Sequence, residues 1–159
     1  LGGGIYTETG PVGLISGTVE NNKAEVDLST LGGWAYGGGI YANVVIPGLS
    51  ASGLVKGNSA LGGQYVYGGG IYVSNTDFQA AGITSLAGTV RDNTAEAIEY
   101  AHGGGIYTNR INTLSGLVSD NKALVSLTLN SVTSSNAESI FLALASRVWR
   151  WSKWGIVIV

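Results

Sequence analysis

One five-residue stretch, Gly2-Gly3-Gly4-Ile5-Tyr6, returns three more times in this chain, as Gly37-Gly38-Gly39-Ile40-Tyr41, Gly68-Gly69-Gly70-Ile71-Tyr72 and Gly103-Gly104-Gly105-Ile106-Tyr107. The steps from Ile to Ile are 35, 31 and 35 residues. A period of that size restricts the fold more than any compositional figure, because a unit so short buries its apolar face only by stacking on its neighbours. A second motif travels with the first: Val19-x-x-Asn22-x-Ala24, Val55-x-x-Asn58-x-Ala60, Val90-x-x-Asn93-x-Ala95 and Val118-x-x-Asn121-x-Ala123. Two residues ahead of each valine stands a glycine, Gly17, Gly53, Gly88 or Gly116.

Within the unit from Gly2 to Tyr36 the periodicity is that of strands. Ile5-Tyr6-Thr7 is short and rich in β-formers, and Thr9-Gly10-Pro11 signals a turn. The stretch from Val12 to Val19 places Ile15, Gly17 and Val19 on one face, Asn21-Asn22 interrupts it, and Ala24 to Leu28 alternates again. Three short strands per unit, closing on themselves, describe one coil of a parallel β-helix. The gaps from triad Ile to motif Val are 14, 15, 19 and 12, and from motif Asn to the next triad 15, 10 and 10. The extra residues thus fall in two connections, around Ser74 to Phe78 in the third unit and near Asp27 to Thr30 in the first. Stacked strands tolerate such insertions.

After Ala123 the repeat fades. Leu124 to Val132 alternates and reads as a strand of a fifth, incomplete coil. Ser139 to Arg150, preceded by Ser135, Asn136 and Glu138, predicts a short helix, and the chain finishes on the apolar run Ile156-Val157-Ile158-Val159. The expected organisation is therefore β-helix repeats over 1–132 and a C-terminal cap or assembly segment over 133–159.

The repeated residue types have physical reasons. Each glycine in a strand-rich unit costs about 0.5–1 kcal/mol relative to alanine, so twelve triad glycines imply positive φ or close backbone approach at a corner. Ile5, Ile40, Ile71 and Ile106 are expected to stack as an inward aliphatic ladder. Tyr6, Tyr41, Tyr72 and Tyr107 then stack on the opposite face. Asn22, Asn58, Asn93 and Asn121 sit where the strand pattern breaks; a left-handed conformation and amides bonded to the coils above and below are expected of them.

Gly-Gly-(Ala/Gly)-Ile paired with Phe-x-x-Asn is the repeat signature of chlamydial polymorphic membrane proteins and related autotransporter passengers, and residues 2–123 resemble that family. Here Val19, Val55, Val90 and Val118 occupy the aromatic position, and no translocating β-barrel follows. The resemblance implies a right-handed parallel β-helix, here of four to five coils, displayed outside a bacterium on or near its outer membrane, and often adhesive.

Charge and composition narrow the chemistry. Only 11% of residues are charged, and residues 1–123 hold nine Asp/Glu against five Lys/Arg, which disfavours nucleic acid as a partner. With no cysteine there is neither a disulfide framework nor a thiolate metal site. No apolar run approaches the roughly 20 residues of a membrane-spanning helix. The chain opens inside a repeat and contains no methionine, which reads as a segment of a longer precursor. His102 is the sole histidine and is expected in a turn, without partners for a hydrolytic triad or a zinc site. The glycine triads lack the Gly-Lys-Ser/Thr of a phosphate loop and the Asp of calcium-binding nonapeptides. Thr7, Ala42, Val73 and Thr108 follow the tyrosines, too irregular for an ice-binding threonine array. Asp92 and Asp120 occupy equivalent places on successive units beside Arg91, and form the one carboxylate pair suited to a polysaccharide lyase or hydrolase.

The least repeat-like stretch carries Arg147, Trp149, Arg150, Trp151, Lys153 and Trp154. Such a segment covers the last coil or meets a partner. A bare first coil and an apolar C-terminal segment suggest self-association or contact with a neighbouring subunit, extending to filaments. The sequence thus points to a non-enzymatic extracellular or surface module, adhesive or structural, needing no cofactor and meeting its own copies, a host surface or a glycan. A polysaccharide-acting enzyme is the alternative.

Overall fold

The structure, a computed structural model, describes residues 1–9, 12–27, 32–43, 46–74 and 82–125. Among these there are eighteen strands and no helix, and the strands stack into parallel sheets as a β-helix solenoid. The connections expected around residues 28–30 and 75–78 fall outside the described residues. So do the helix expected over 139–150, the run 156–159 and all six basic and tryptophan positions from Arg147 to Trp154.

Each full coil contributes five strands, two more than the sequence pattern suggested, because strands of two to four residues leave almost no alternation to read. The triad sheet stacks Ile5–Thr7, Ile40–Ala42, Ile71–Val73 and Ile106–Tyr107. Next around the coil comes a sheet of Ile46–Leu49, Ile83–Leu86 and Ile111–Leu114, joined from the first coil only by a bridge from Ile15 to Leu49. A valine sheet follows, with Thr18–Glu20, Leu54–Lys56, Thr89–Arg91 and Leu117–Ser119. Then comes an alanine sheet of Lys23–Glu25, Ser59–Leu61, Thr94–Ala97 and Lys122–Val125. The fifth, aromatic sheet holds Trp34–Tyr36, Tyr65–Tyr67 and Tyr100–His102.

Two sequence expectations are corrected here. Val12 to Val19 is not one strand: Ile15 and Val19 both reach the core, but they belong to different sheets with the Gly17 corner between them. Gly88, at the equivalent corner, has no room for a side chain, since a Cβ there would lie 2.5 Å from the Ser50 carbonyl oxygen. Leu124 and Val125 do not begin a fifth coil; they pair with Glu96 and Ala97 within the fourth, and the rest of the strand expected to Val132 lies outside the described residues.

In register, Ile5, Ile40, Ile71 and Ile106 lie one above another, and so do Val19, Val55, Val90 and Val118. Burial is complete for the two middle coils and is lost on the fourth. Val55 and Val90 are fully buried, whereas Val118 of the fourth coil is 44% exposed. The core is divided in two. One cluster joins the triad, second and valine sheets; the other, made of Ala35, Ala60, Val66, Ala95 and Ala97, joins the alanine and aromatic sheets.

What divides them is contact between the two sequence motifs. The corner after the valine sheet carries the motif asparagines, whose side chains point inward, Asn58 and Asn93 being almost wholly buried. Each Asn carboxamide bonds to the next coil: Asn22 Nδ2 donates to Asn58 Oδ1 at 3.0 Å, Asn58 Nδ2 to Asn93 Oδ1 at 3.0 Å, and Asn93 Nδ2 to Asn121 Oδ1 at 2.8 Å. The same oxygens accept the backbone N–H of the preceding Asn, each at 3.0 Å. The remaining Nδ2 hydrogens go to the preceding coil, to Val19 O, Val55 O and Val90 O.

Against this ladder lies the triad corner. A Cβ on Gly39 would stand 2.9 Å from Asn58 Cγ, and one on Gly70 would stand 2.9 Å from Asn93 Cγ. The middle glycines meet backbone instead: a Cβ on Gly38 would collide with the carbonyl of Ser59 and with Gly69 O of the next coil. The first glycine supplies the turn, with φ of 57° at Gly37, 64° at Gly68 and 61° at Gly103.

Asn93→Ala should therefore be severe. It strips Asn58 of the acceptor for two N–H groups, and leaves the carbonyl of Val55 and the Oδ1 of Asn121 short of a donor. At about 1–3 kcal/mol for each buried group left unpaired, the expected loss is about 3 kcal/mol or more in chemical denaturation, against about 1 kcal/mol for the partly exposed Asn22→Ala. Equal losses at the two positions would rule out the ladder as the source of stability.

Candidate functional site

In the aromatic sheet, strand alternation turns Ala35 and Val66 into the core and Trp34, Tyr36, Tyr65 and Tyr67 outward. Tyr100 and His102 flank Ala101 in the same register. Three glycines separate Tyr36 from Ile40, so the aromatic and triad sheets are neighbours, and their outward residues lie side by side. Three columns result: Trp34, Tyr65, Tyr100; Tyr36, Tyr67, His102; and Tyr6, Tyr41, Tyr72, Tyr107. All eight tyrosines of the chain and its only histidine are on this face.

Coil spacing sets the ring spacing. In the triad column the centroids are 5.1, 5.3 and 5.6 Å apart with interplanar angles of 22°, 23° and 8°. Tyr36 stacks on Tyr67 at 5.6 Å and Tyr67 on His102 at 5.1 Å, and Tyr65 stacks on Tyr100 at 4.9 Å. The Tyr36 and triad columns meet edge-on or tilted, as at Tyr36–Tyr72 (4.8 Å, 50°) and Tyr67–Tyr107 (4.9 Å, 63°), whereas Tyr65 and Tyr67 lie parallel across their columns at 6.4 Å. Rings stacked along the solenoid cover one another's faces, so the surface shows ring edges and phenol hydroxyls. Trp34 is the exception. Its plane is turned 61° from Tyr65, and the residue is 52% exposed.

Packing this many phenols together disfavours their ionisation. Burial, followed by repulsion from Tyr72, Tyr67 and Tyr41, pushes the Tyr36 phenol up to about 12. Burial first and neighbouring tyrosines after it also raise Tyr67 and Tyr72, the latter opposed by a hydrogen bond with Ser74. The Tyr36, Tyr67 and Tyr72 phenols thus stay neutral through the physiological range.

Only the triad tyrosines of this face are named by the repeat; Trp34, Tyr36, Tyr65, Tyr67, Tyr100 and His102 were missed as a group. Their signal was present, since the residue directly before the last three triads is Tyr36, Tyr67 or His102, with Trp34, Tyr65 or Tyr100 two places earlier. His102 is accordingly a strand residue, not a turn residue, and it stacks on Tyr67.

Asp92 and Asp120 lie on a different part of the surface and line an open recess with Thr94, Asn121 and Lys122. The sequence placed left-handed geometry on the motif Asn, but the structure moves it one residue earlier. Asn21, Gly57, Asp92 and Asp120 have φ of 57°, 61°, 56° and 53°. Asn, Gly and Asp are the residues that tolerate this conformation, so the corner accounts for both carboxylates without catalysis. Arg91 pairs with Asp92, half exposed. Among the described residues no group of three or more His, Asp or Glu is arranged to hold a metal ion, and no helix is long and apolar enough to cross a membrane.

No protein-family model, curated protein or solved structure matches this chain.

Two measurements check this electrostatic and backbone account. Tyr36 ionises near 10 when unfolded and near 12 when folded, so between those values the unfolded state releases its proton first. The Tyr36 contribution to stability should be constant from neutral pH to about pH 10 and be lost from there towards pH 12, so that melting temperatures across alkaline pH fall less in Tyr36→Phe. At the corner, Asp92→Gly should match or exceed the parent in stability. Asp92→Ala should lose about 1 kcal/mol in denaturant titration, the cost of a left-handed alanine.

Proposed function

We propose that this chain is a non-enzymatic β-helix module working outside the cell or on its surface, and that it adheres through the aromatic face to neutral, hydroxyl-rich glycan. The observation that carries this reading is the gathering of every tyrosine into three adjoining columns on two neighbouring sheets. Stability alone asks for less: the ladders of Ile, Val and Asn hold the coils in register from inside. Phenol edges offer donors and acceptors repeated at the coil spacing, and the exposed Trp34 offers an aromatic surface at the end of its column. The phenols themselves are uncharged and a carboxylate at the edge of the face, Glu8, is hydrogen-bonded to Tyr6, which suits an uncharged polymer better than a polyanion. The resemblance to the passengers of chlamydial polymorphic membrane proteins and other autotransporters supports a surface location and an adhesive role.

Self-association belongs to the same reading. Inward positions of the fourth coil, Leu114 at 58% and Val125 at 51% exposed, form an apolar row of the kind that another β-layer covers. The enzymatic alternative rests on the recess at Asp92 and Asp120, whose carboxylates the left-handed corner already explains.

Retention on a panel of insoluble neutral polysaccharides tests the proposal. The parent should be retained by at least one, and Trp34→Ala should bind about tenfold more weakly, a loss of about 1.4 kcal/mol. Equal retention of parent and Trp34→Ala would remove the aromatic face from the adhesive role. New reducing ends that vanish in Asp92→Asn would replace the adhesive reading with the enzymatic one.

A further inference from the structure

We infer that the aromatic face is a site of oxidative tyrosine coupling, in which Tyr65–Tyr100, Tyr36–Tyr72 and Tyr67–Tyr107 become ring-to-ring dityrosine under a haem peroxidase with hydrogen peroxide. This does not depend on the adhesive reading. The centroids of these pairs are 4.9, 4.8 and 4.9 Å apart. A carbon–carbon bond between two six-membered rings sets their centres only slightly closer; Tyr36–Tyr72 and Tyr67–Tyr107 are already inclined at 50° and 63°, whereas the near-parallel Tyr65–Tyr100 pair, at 9°, swings from face-on to edge-on before its ring carbons bond. The backbone holds the pairs close: Tyr65 and Tyr100 are register partners on adjacent strands, and holding two reacting groups together is the usual source of intramolecular rate advantages.

Oxidant access and competition both favour the site. Tyr100 is 48% and Tyr107 36% exposed, so each coupled pair containing them has one ring at the surface. The sequence contains no cysteine and no methionine, the side chains that otherwise intercept oxidants first. Contacts of 4.8 to 6.4 Å link the rings continuously from Trp34 to Tyr107, so an electron vacancy formed at an exposed ring has neighbours to move through.

The step balances. Each of two phenols gives up one electron and its hydroxyl proton, leaving two phenoxyl radicals. These couple through the ring carbons beside the oxygens, and the two ring hydrogens at the new bond move to the oxygens, restoring both phenols. Two electrons and two protons reduce one hydrogen peroxide to two waters. The product closes a loop of 35, 36 or 40 residues, the differences 100−65, 72−36 and 107−67, and so staples one turn of the solenoid to the next. Such cross-links restrict the unfolded chain as disulfides do.

The test treats the whole chain with haem peroxidase and hydrogen peroxide, isolates the monomer and digests it with trypsin. Cleavage after Lys23, Lys56, Arg91 and Arg110 gives peptides 24–56, 57–91 and 92–110, which separate the partners of every proposed pair. Expected are conjugates of 57–91 with 92–110 and of 24–56 with 57–91, each lighter by two hydrogens, with tandem mass spectra assigning the linked tyrosines. They should be about tenfold more abundant than in protein oxidised in urea, and the oxidised monomer should melt higher. Tyr100→Phe keeps the ring and its stacking, and should abolish the 65–100 linkage while leaving 36–72. Linkages confined to dimers and larger species, an equal pattern in urea, or a folded monomer without the three pairs would each overturn the inference.

Discussion

The structure depends on a contact between a glycine and an asparagine. The third glycine of each triad lies against the carboxamide of the motif Asn, with no room between them for a methyl group. The Asn is inside because its amide closes a corner: the oxygen takes two N–H groups from the coil before, and Nδ2 gives one hydrogen to each neighbouring coil in the interior of the stack. A buried carboxamide left unpaired is costly, and here the partners are other copies of itself. The ladder therefore works only as a repeat. It also requires a backbone without side chains opposite it, which explains why a costly run of three glycines appears once per coil.

That contact pinches the coil and fixes what each sheet can carry. On the wide side, three sheets enclose isoleucine, leucine and valine. On the narrow side, the alanine and aromatic sheets approach closely, and their inward positions shrink to Ala35, Ala60, Ala95 and Val66. Bulk excluded from the interior stands outside instead: Trp34 and Tyr36 flank Ala35, and Tyr65 and Tyr67 flank Val66. The ion pairs Lys56–Glu20 and Lys23–Glu25 are substantially exposed and add little to holding the coils.

Much of this was legible in the letters. A period near 35 residues with a recurring Ile, Val and Asn sufficed for stacked parallel coils, since a residue that recurs at the same inward position stacks on its own copy in the next coil. Strand number was not legible, because Ile106–Tyr107 or Thr89–Arg91 are too short to show alternation beyond chance. The left-handed residue was misplaced by one because the motif Asn recurs whereas the residue before it varies between Asn21, Gly57, Asp92 and Asp120. What those four share is tolerance of a conformation, not a side-chain chemistry, and a search for repeated letters passes over it. The aromatic sheet was hidden for a related reason: Trp34, Tyr65 and Tyr100, or Tyr36, Tyr67 and His102, share flatness without sharing identity.

Flatness is what the geometry selects. Parallel strands stacked at about 4.8 Å put equivalent outward side chains closer together than two like charges sit comfortably. Planar rings lying across the solenoid axis fill that spacing with favourable contact, which is why Tyr6 to Tyr107 and Tyr36 to His102 form unbroken columns. The columns are therefore partly structural, and loss of a ring conflates stability with recognition. Replacing Tyr by Phe separates the two, since it keeps the stacked plane and removes only the hydroxyl. Where function lies in the phenol edge, Phe abolishes it on an unchanged fold; where the column serves packing alone, Phe is silent and only Ala is felt.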